Sequence, residues 1–314
     1  MDDQNYKDDQ HIGKFIRKLR KQRGLTLKEL AYGITNIASL SRLESGDQML
    51  DRDKLNAILQ RLGFNTLDNY SYFLDKREYE ISKKCDELVS LVINNRNKEA
   101  EDMINELALL PEFEKGAKLQ LLLTYRAAVM VNLRQDNDEI RRTVLKAIKI
   151  TFPRFNEDDI SSYFLSDQEV TLVNIWSITY LNENKMDKAI EILEKLIKAL
   201  DNSKIDEKQR AKLYILLQFN LTKYYGLTGK YLDALEMCDI AIELCLNINN
   251  MMYLPGFIYN KAYCMYEMGY RKECRHLLYV AYYGFEMMEN FARRDIVKNH
   301  AREKHGIIFD KSNG

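Results

Sequence analysis

Residues 25–46 read LTLKELAYGITNIASLSRLESG and predict two short helices joined by a tight turn. Thr26 is a helix-capping residue type, and Glu29 three positions later completes the pattern of a capping box. Gly33 then breaks the first helix, because glycine readily adopts the backbone conformations that tight turns need. Asn36 is a favoured cap for the second helix. The segment is therefore expected to fold as a helix-turn-helix.

The second helix of this motif has two different faces. Ile37, Leu40 and Leu43 fall at helical spacing and are expected to point inward. The outward positions carry small and polar side chains, namely Ala38, Ser39, Ser41 and Arg42. Short side chains let a helix approach a surface closely, and arginine can donate two hydrogen bonds to guanine, so this helix suits the major groove of DNA. Ordinary packing of two helices without DNA contact is the alternative interpretation.

The charge distribution supports contact with a phosphate backbone. The whole chain of 314 residues has 47 basic and 47 acidic side chains, so its total charge indicates no class of partner. Residues 11–46, however, hold eight Lys and Arg side chains against two Glu. Such a local positive excess is what DNA binding requires. The residues expected to contact DNA are Lys14, Arg17, Lys18, Thr26, Lys28, Asn36, Ile37, Ala38, Ser39, Ser41 and Arg42.

Residues 30–46 resemble the helix-turn-helix of the large phage-repressor-like family, in the variant with an L-A-x-G-I turn and an L-S-R-L-E-S-G ending. The resemblance implies that Glu44 forms a structural pair with Arg20 of the first helix. That family often places polar residues at the start of the recognition helix, where this chain has Ile37 and Ala38. Base recognition there is expected to use thymine methyl groups or the shape of the DNA.

The rest of the chain predicts helices throughout. Residues 53–62 form a further helix of the small domain, and Gly63 ends it. Beyond about residue 67 helix breakers are rare, and the three prolines lie near expected helix boundaries. We therefore expect an all-α protein, with a DNA-binding domain in residues 1–66 and a sensor and dimerisation domain in residues 67–314.

A weak repeat runs through the second domain. Each copy has a turn residue, a short polar run and then a small or apolar residue near the start of a second helix. These positions step by 40, 49, 45 and 40 residues and are Ala100, Ile140, Ala189, Ala234 and Cys274. Stacked helix pairs bury their apolar faces only against their neighbours. The pattern is similar to tetratricopeptide repeats and predicts a right-handed α-solenoid.

An asparagine recurs in the first helix of three successive repeats. Asn220 and Asn260 lie 14 residues before the small position of their repeats, and Asn174 lies 15 residues before its own. Asparagine is a poor helix former, so its repeated use within helices suggests a function. Its amide both donates and accepts, which matches the backbone of an extended peptide. Surface or inter-helix asparagines without a ligand are the alternative interpretation.

Residues about one helical turn from these asparagines complete the predicted peptide site. Apolar and aromatic pockets are expected from Ile178, Leu217, Tyr224, Phe257 and Tyr263. The same residue types are also typical of a solenoid core. Lys223 and Glu267 are candidates for contact with peptide termini or charges, although single charges on long helices are also commonly solvated.

Over nearly its full length the sequence resembles the peptide-pheromone-responsive transcriptional regulators of Gram-positive bacteria, of the Rgg, PlcR and PrgX type. These proteins join a repressor-like helix-turn-helix to a tetratricopeptide-like domain that binds an imported signalling peptide. The resemblance implies quorum sensing, and it implies that Asn174, Asn220 and Asn260 hold the peptide backbone in a concave groove. It also implies a homodimer on a palindromic operator.

Other features of the sequence bear on compartment and chemistry. The five cysteines have neither metal-ligand nor disulfide spacing, no signal peptide opens the chain, and no apolar run is long enough to span a bilayer. We expect a cytoplasmic protein. No cofactor is expected and enzymatic activity is the weakest hypothesis, since the sequence shows no nucleophile with a base, no metal cluster and no phosphate-cradling glycine loop. The alternative function is a DNA-tethered adaptor whose repeats bind a protein partner without a peptide signal.

Overall fold

The structure of the chain is a computed structural model that describes residues 3–63, 76–203 and 205–309. Within these residues every regular element is a helix and no strand occurs, which confirms the all-α prediction. The helices of the amino-terminal part are α1 (Asp3–Gln22), α2 (Leu27–Ala31), α3 (Ile37–Ser45) and α4 (Arg52–Arg61). Among the described residues no helix combines the length and hydropathy that crossing a membrane requires.

The caps predicted for the helix-turn-helix are present. The Thr26 side chain accepts a hydrogen bond from the backbone N–H of Glu29, and the Glu29 carboxylate accepts one from the backbone N–H of Thr26. Asn36 accepts from the backbone N–H of Ser39 at 2.7 Å. Gly33 ends the preceding turn with a φ of 70°. The boundaries of α2 and α3 thus follow from local hydrogen bonds that the sequence makes visible.

A hydrophobic core joins the helices of this small domain. Helix α1 crosses α3 closely at Gly13, where an added Cβ would lie 1.9 Å from the carbonyl oxygen of Leu43. Any side chain at this position would therefore push the two helices apart. The buried members of the core are Ile16, Leu25, Leu30, Ala31, Leu40, Leu43, Leu55, Ile58, Leu59 and Leu62.

One inward position of the recognition helix is wrongly predicted. Ile37 is 48 % exposed, whereas Leu40 and Leu43 are fully buried as expected. Ile37 is the first residue of α3 and follows the cap Asn36 directly. It therefore lies ahead of the helical turn that packs on the core. Its exposure leaves it available for the DNA contact that the sequence analysis also assigned to it.

The remaining helices follow the predicted repeat. They are α5 (Lys76–Ile93), α6 (Asn97–Leu107), α7 (Gly116–Asn132), α8 (Asn137–Thr151), α9 (Asp167–Asn182), α10 (Met186–Asn202), α11 (Glu207–Leu227), α12 (Tyr231–Asn247), α13 (Leu254–Glu267), α14 (Arg271–Met287) and α15 (Phe291–His305). Short 3₁₀ helices, Pro111–Phe113 and Glu157–Ser162, lie in two of the connections.

The phase of the repeat is confirmed by burial and by turn geometry. The repeat positions are each the fourth residue of a helix and fully buried: Ala100, Ile140, Ala189, Ala234 and Cys274. The turn before each of these helices has one residue with positive φ: Asn95, Arg134, Asn184, Gly229 and Gly269. Four of these five residues are Gly or Asn, which tolerate this conformation best, so their use in the turns has a backbone role; Arg134 is the exception.

The chain forms two compact units. The first comprises residues 1–183 and 194–206, and it includes the helix-turn-helix together with the first repeat helices. The second comprises residues 184–193 and 207–314. The predicted domain boundary at residues 66–67 lies outside the described residues, and the division at that point stays a prediction.

The five cysteines are free and buried, as expected for unpaired core thiols: Cys85, Cys238, Cys245, Cys264 and Cys274. Burial disfavours the charged thiolate and raises the pKa of Cys238 to about 12. Burial likewise raises the pKa of the other four thiols to about 11. All five are therefore protonated at neutral pH, which makes them poor nucleophiles.

The repeat makes a prediction about stability. Ala234→Leu is expected to lower the free energy of unfolding by about 1–3 kcal/mol, because a fully buried position close to its neighbours has no room for three more carbon atoms. Urea unfolding followed by circular dichroism measures the change. The control Ala292→Leu, at an exposed position of α15, should change stability by less than about 0.5 kcal/mol. Equal stability of the two variants would contradict close packing at the repeat positions.

Candidate functional sites

The predicted DNA-contacting residues lie in the first unit, on α1, α2, α3 and the residues that cap α2 and α3. Ser39 is half-buried. The other members of the set are exposed: Lys14, Arg17, Lys18, Thr26, Lys28, Asn36, Ile37, Ala38, Ser41 and Arg42. Thr26 and Asn36 also cap α2 and α3, so these two have a structural role as well. Contact of the set with DNA stays a prediction.

The recognition helix is fixed to α1 by a bidentate ion pair. Arg20 Nε lies 2.6 Å from Glu44 Oε1, and Arg20 Nη2 lies 2.7 Å from Glu44 Oε2. Arg20 Nη1 also donates to the carbonyl of Leu25 at 2.9 Å. The hydrogen bonds to Glu44 raise the pKa of Arg20, against the opposing effect of burial. The predicted structural pair is confirmed, and it sets the orientation of α3 relative to α1.

A second arginine connects the helix-turn-helix to the repeat helices of the same unit. Arg61 is the last residue of α4 and is only 2 % exposed. Its Nη1 donates to the carbonyls of Leu30, at 3.3 Å, and Tyr32, at the end of α2. Its Nη2 donates to the carbonyl of Thr151, the last residue of α8, at 3.4 Å. Carbonyls at helix carboxyl ends carry partial negative charge, so a cation is favoured there.

Glu169 supplies the full negative charge for Arg61. Glu169 Oε1 lies 3.4 Å from Arg61 Nη2, and the Glu169 side chain is fully buried. The hydroxyl of Thr151 donates to Glu169 Oε1 at 2.6 Å, and Gln120 donates to the Thr151 hydroxyl at 2.6 Å. The backbone N–H of Ser166 donates to Glu169 Oε2 at 2.7 Å. The ion pair is thus part of a hydrogen-bonded network, which a buried charge requires.

The turn of the helix-turn-helix packs directly on the connection between α8 and α9. A Cβ on Gly33 would lie 1.8 Å from the carbonyl oxygen of Thr151. The ring of Tyr32 lies 5.0 Å from that of Phe152, whose ring lies 4.6 Å from that of Tyr163. Gly33 therefore does more than break a helix. It allows the close approach that brings Arg61 to Glu169.

This network could not be predicted from the sequence. Residues 166–169, SDQE, have the pattern of a capping box, and the structure shows the Ser166 and Glu169 bonds of that box. The pattern predicts the start of α9 but not the second partner of Glu169. Arg61 gives no local signal, because an arginine at the end of an amphipathic helix is ordinarily solvated. Its burial depends on contacts with α2, α8 and α9, none of which is adjacent to it in the sequence.

Two predicted peptide-contacting residues lie in the first unit, on α9. Asn174 is 4 % exposed, and the hydroxyl of Ser177 donates to its backbone carbonyl at 2.7 Å. Ile178, one turn further along the helix, is half-buried. Both follow Glu169 in the same helix. Their contact with a peptide stays a prediction.

The other predicted peptide-contacting residues lie in the second unit, on α11 and α13. Asn220 and Tyr263 are half-buried, and Lys223 and Glu267 are exposed. The fully buried ones are Leu217, Tyr224 and Phe257, which lie in the core of this unit. For these seven residues too, a contact with peptide stays a prediction.

Asn260 has identified partners in the second unit. Its Nδ2 donates to the carbonyl of Phe219 at 3.3 Å and to the hydroxyl of Thr222 at 2.9 Å, and both acceptors lie on α11. The asparagine is 7 % exposed. Its amide group therefore ties α13 to α11, and the carbonyl oxygen of the side chain is the group that remains as a possible acceptor for a ligand.

Comparison with known proteins agrees with this architecture of a helix-turn-helix followed by helical repeats. Residues 13–74 match a family model described as a helix-turn-helix domain. Residues 86–303 match the model of the RNPP family C-terminal domain. Because this match covers more than half of the sequence, the chain belongs to the RNPP family. No curated protein matches the chain in sequence.

Several solved structures share the fold. PlcR of Bacillus thuringiensis, in complex with the peptide PapR7 and DNA, is 22 % identical over 92 % of this chain and 99 % of that chain, with a TM-score of 0.60. The apo form of PlcR is 20 % identical over 92 % and 98 %, with a TM-score of 0.55. ComR of S. thermophilus, in complex with DNA and its signalling peptide ComS, is 17 % identical over 92 % and 97 %, with a TM-score of 0.51. The resemblance stated from the sequence is confirmed at the level of family and fold.

The buried ion pair makes a prediction about stability. Glu169→Gln is expected to lower the free energy of unfolding by about 3 kcal/mol, because the Arg61 cation would stay buried without a counter-charge. The measurement is urea unfolding at neutral pH. Glu99→Gln is the matched control, since Glu99 pairs with Arg96 on the surface, and such pairs contribute little to stability. Unfolding of the two variants at the same urea concentration would show that the Arg61 network does not stabilise the fold.

Proposed function

We propose that this protein is a transcriptional regulator that binds DNA under the control of a short signalling peptide, and that it acts in quorum sensing in the cytoplasm. One observation carries the proposal: an exposed, basic helix-turn-helix shares a chain with the RNPP family C-terminal domain. Family membership supports a regulator rather than an enzyme. Residues 67–314 then form the sensor and dimerisation domain.

The proposed partners follow from the same architecture. PlcR and ComR, which share the fold, are described in complex with both DNA and a signalling peptide. This supports double-stranded DNA and a short peptide as the two ligands of this chain. A homodimer with two-fold symmetry would present two recognition helices to the two halves of a palindromic operator.

The proposed DNA contacts are of two kinds, contacts to phosphate groups and contacts to bases. Lys14, Arg17 and Lys18 are exposed on α1 and form no ion pair within the described ranges, so their charges are available for phosphate groups. Within the described part of the chain, Arg42 on α3 donates only an exposed hydrogen bond of 3.3 Å to Gln48. Such a weak surface bond can be exchanged for a bidentate contact with guanine. Phosphate contacts would position the protein, and Arg42 would read sequence.

Helix α9 offers a physical route between the two functions. It carries Asn174, a proposed peptide contact, and Glu169, which holds Arg61. Arg61 in turn binds the carbonyls at the end of α2 in the helix-turn-helix. A peptide that binds more tightly to one position of α9 would favour the matching position of the DNA-binding helices. Only this difference in affinity can couple the two sites.

Two substitutions test the proposed DNA-binding surface, one at a residue expected to recognise a base and one at a residue expected to contact phosphate. Arg42→Ala should reduce discrimination between bases at one position by about 1–3 kcal/mol, and Lys18→Ala should weaken binding to all sequences and lower the salt slope by about one. Duplexes are first selected from a random library by binding to the wild-type protein. Fluorescence anisotropy on these duplexes measures both the base discrimination and the salt dependence of binding. Lys272→Ala, exposed on α14, is the control. Unchanged DNA binding by the Arg42 and Lys18 variants would refute this surface.

The asparagines make a prediction for peptide binding. Asn220→Ala combined with Asn260→Ala should weaken binding by about tenfold or more, because several hydrogen bonds to the peptide backbone are lost. Heptapeptides are first selected from a synthetic random library by their retention on the wild-type protein. Calorimetry with these peptides then measures the loss of affinity. Asn299→Ala, exposed on α15, is the control, and circular dichroism checks the fold. Undiminished binding by a folded double variant would place the peptide elsewhere.

A further inference from the structure

An arginine of the second unit lies against a cluster of aromatic rings. Arg293 is in the first turn of α15, and its guanidinium carbon lies 4.8 Å from the centre of the Phe219 ring on α11. The Phe219 ring lies 5.4 Å from the ring of Tyr253 and 5.8 Å, edge on, from the ring of Phe257. Three segments of the chain thus converge on the guanidinium: the middle of α11, the start of α13 and the start of α15.

The position of the Phe219 ring is built into the fold. A Cβ on Gly256 would lie 2.3 Å from Cε2 of Phe219, so the ring occupies the space that the glycine leaves on α13. The carbonyl of Phe219 accepts from Asn260 at 3.3 Å, which holds the same turn of α11 against α13. The aromatic surface under Arg293 is therefore fixed before any ligand arrives, as a selective site requires.

The charge of Arg293 has no counterpart among the described residues of the second unit. Within the described ranges its guanidinium forms neither an ion pair nor a hydrogen bond, although the residue is half-buried. The adjacent Arg294 differs, since it donates to Asp295 at 2.7 Å and lies 3.3 Å from Glu286. Removing a cation from water without an anionic partner is unfavourable. Burial accordingly lowers the pKa of Arg293.

The helix end at this place favours a bound anion, and the neighbouring tyrosine is held in its neutral form. Helix α15 begins at Phe291, so Arg293 lies at the amino-terminal end of a helix, where the helix dipole favours anions and disfavours a basic residue. Burial raises the pKa of the neighbouring Tyr253, while the positive charge of Arg293 acts on it in the opposite direction. The Tyr253 hydroxyl therefore stays protonated and can donate a hydrogen bond, and its ring packs on the same Phe219 ring as the guanidinium.

We propose that Arg293, Tyr253 and Phe219 form a site for a carboxylate of the signalling peptide. The proposal rests on the proposed function. The guanidinium can donate two parallel hydrogen bonds to a carboxylate, and the Phe219 ring restrains its plane from one side. The Tyr253 hydroxyl supplies a third donor. Because rings flank the site, the peptide residue next to the carboxylate is expected to be apolar.

The carboxylate has two possible sources, the carboxyl terminus of the peptide or an Asp or Glu side chain within it. Both present the same group to Arg293. Peptides that differ only in that group distinguish the two sources. Each peptide retained from the random library is therefore also made with a carboxy-terminal amide, and separately with Asn or Gln in place of Asp or Glu.

The test compares Arg293→Gln with the matched control Arg294→Gln by calorimetry on these peptides. Arg293→Gln should bind about tenfold to hundredfold more weakly, the range for hydrogen bonds to a charged group. Arg294→Gln should stay within about twofold of wild type, because its charge is already paired. Either amidation of the carboxyl terminus or replacement of Asp or Glu by Asn or Gln should weaken peptide binding to the wild-type protein by a similar factor. The same change in the peptide should have little effect on its binding to Arg293→Gln.

Several results would overturn the proposal. Binding of Arg293→Gln at wild-type strength, or equal sensitivity of wild type and variant to removal of the carboxylate, would remove Arg293 from the peptide site while leaving the proposed function intact. Retention of no peptide by the wild-type protein would refute both proposals together. Should Arg293→Gln fail to fold by circular dichroism, Arg293→Lys is the second variant. It keeps the charge but loses the bidentate geometry, and an intermediate loss of affinity is expected.

Discussion

The guanidinium of Arg61 is buried where the end of α4 meets the ends of α2 and α8 and the start of α9, and the arrangement of the first unit depends on it. A single planar group donates to the carbonyls of Leu30, Tyr32 and Thr151 and pairs with Glu169. These carbonyls are the acceptors that a helix end leaves unsatisfied. Arg61 therefore ties the DNA-reading motif to the repeat helices by charge as well as by packing. A buried charge tolerates few alternative geometries, since displacement leaves it unpaired.

The same helix that supplies Glu169 also carries a proposed ligand contact, and this gives the architecture a possible mechanism. In α9 the first turn is engaged in the Arg61 network, and Asn174 follows further along. A helix transmits displacement along its length because its backbone hydrogen bonds make it stiff. Glycine at position 33 keeps the helix-turn-helix close enough for that displacement to matter. The coupling proposed here is thus a property of the first unit, whereas the Arg293 site belongs to the second.

The asparagines illustrate how one residue type can serve packing and recognition. Asn260 already joins α13 to α11 through Phe219 and Thr222. That bond also fixes the aromatic surface beneath Arg293. A side chain that organises two helices places its remaining carbonyl oxygen accurately, so its structural role does not compete with the proposed contact to peptide. Arg293 differs, because no group of the described chain neutralises it.

Local sequence determined the parts of this protein that depend on short-range hydrogen bonding and periodicity. The caps at Thr26 and Asn36 and the phase of the repeat could be predicted because the residues that form them are close in sequence. Arg20–Glu44 was predictable only through family resemblance. The burial of Arg61 and the isolation of Arg293 were decided by the tertiary structure alone. A charged side chain has the same sequence signature in solvent or in a core, and only distant helices determine which environment it meets.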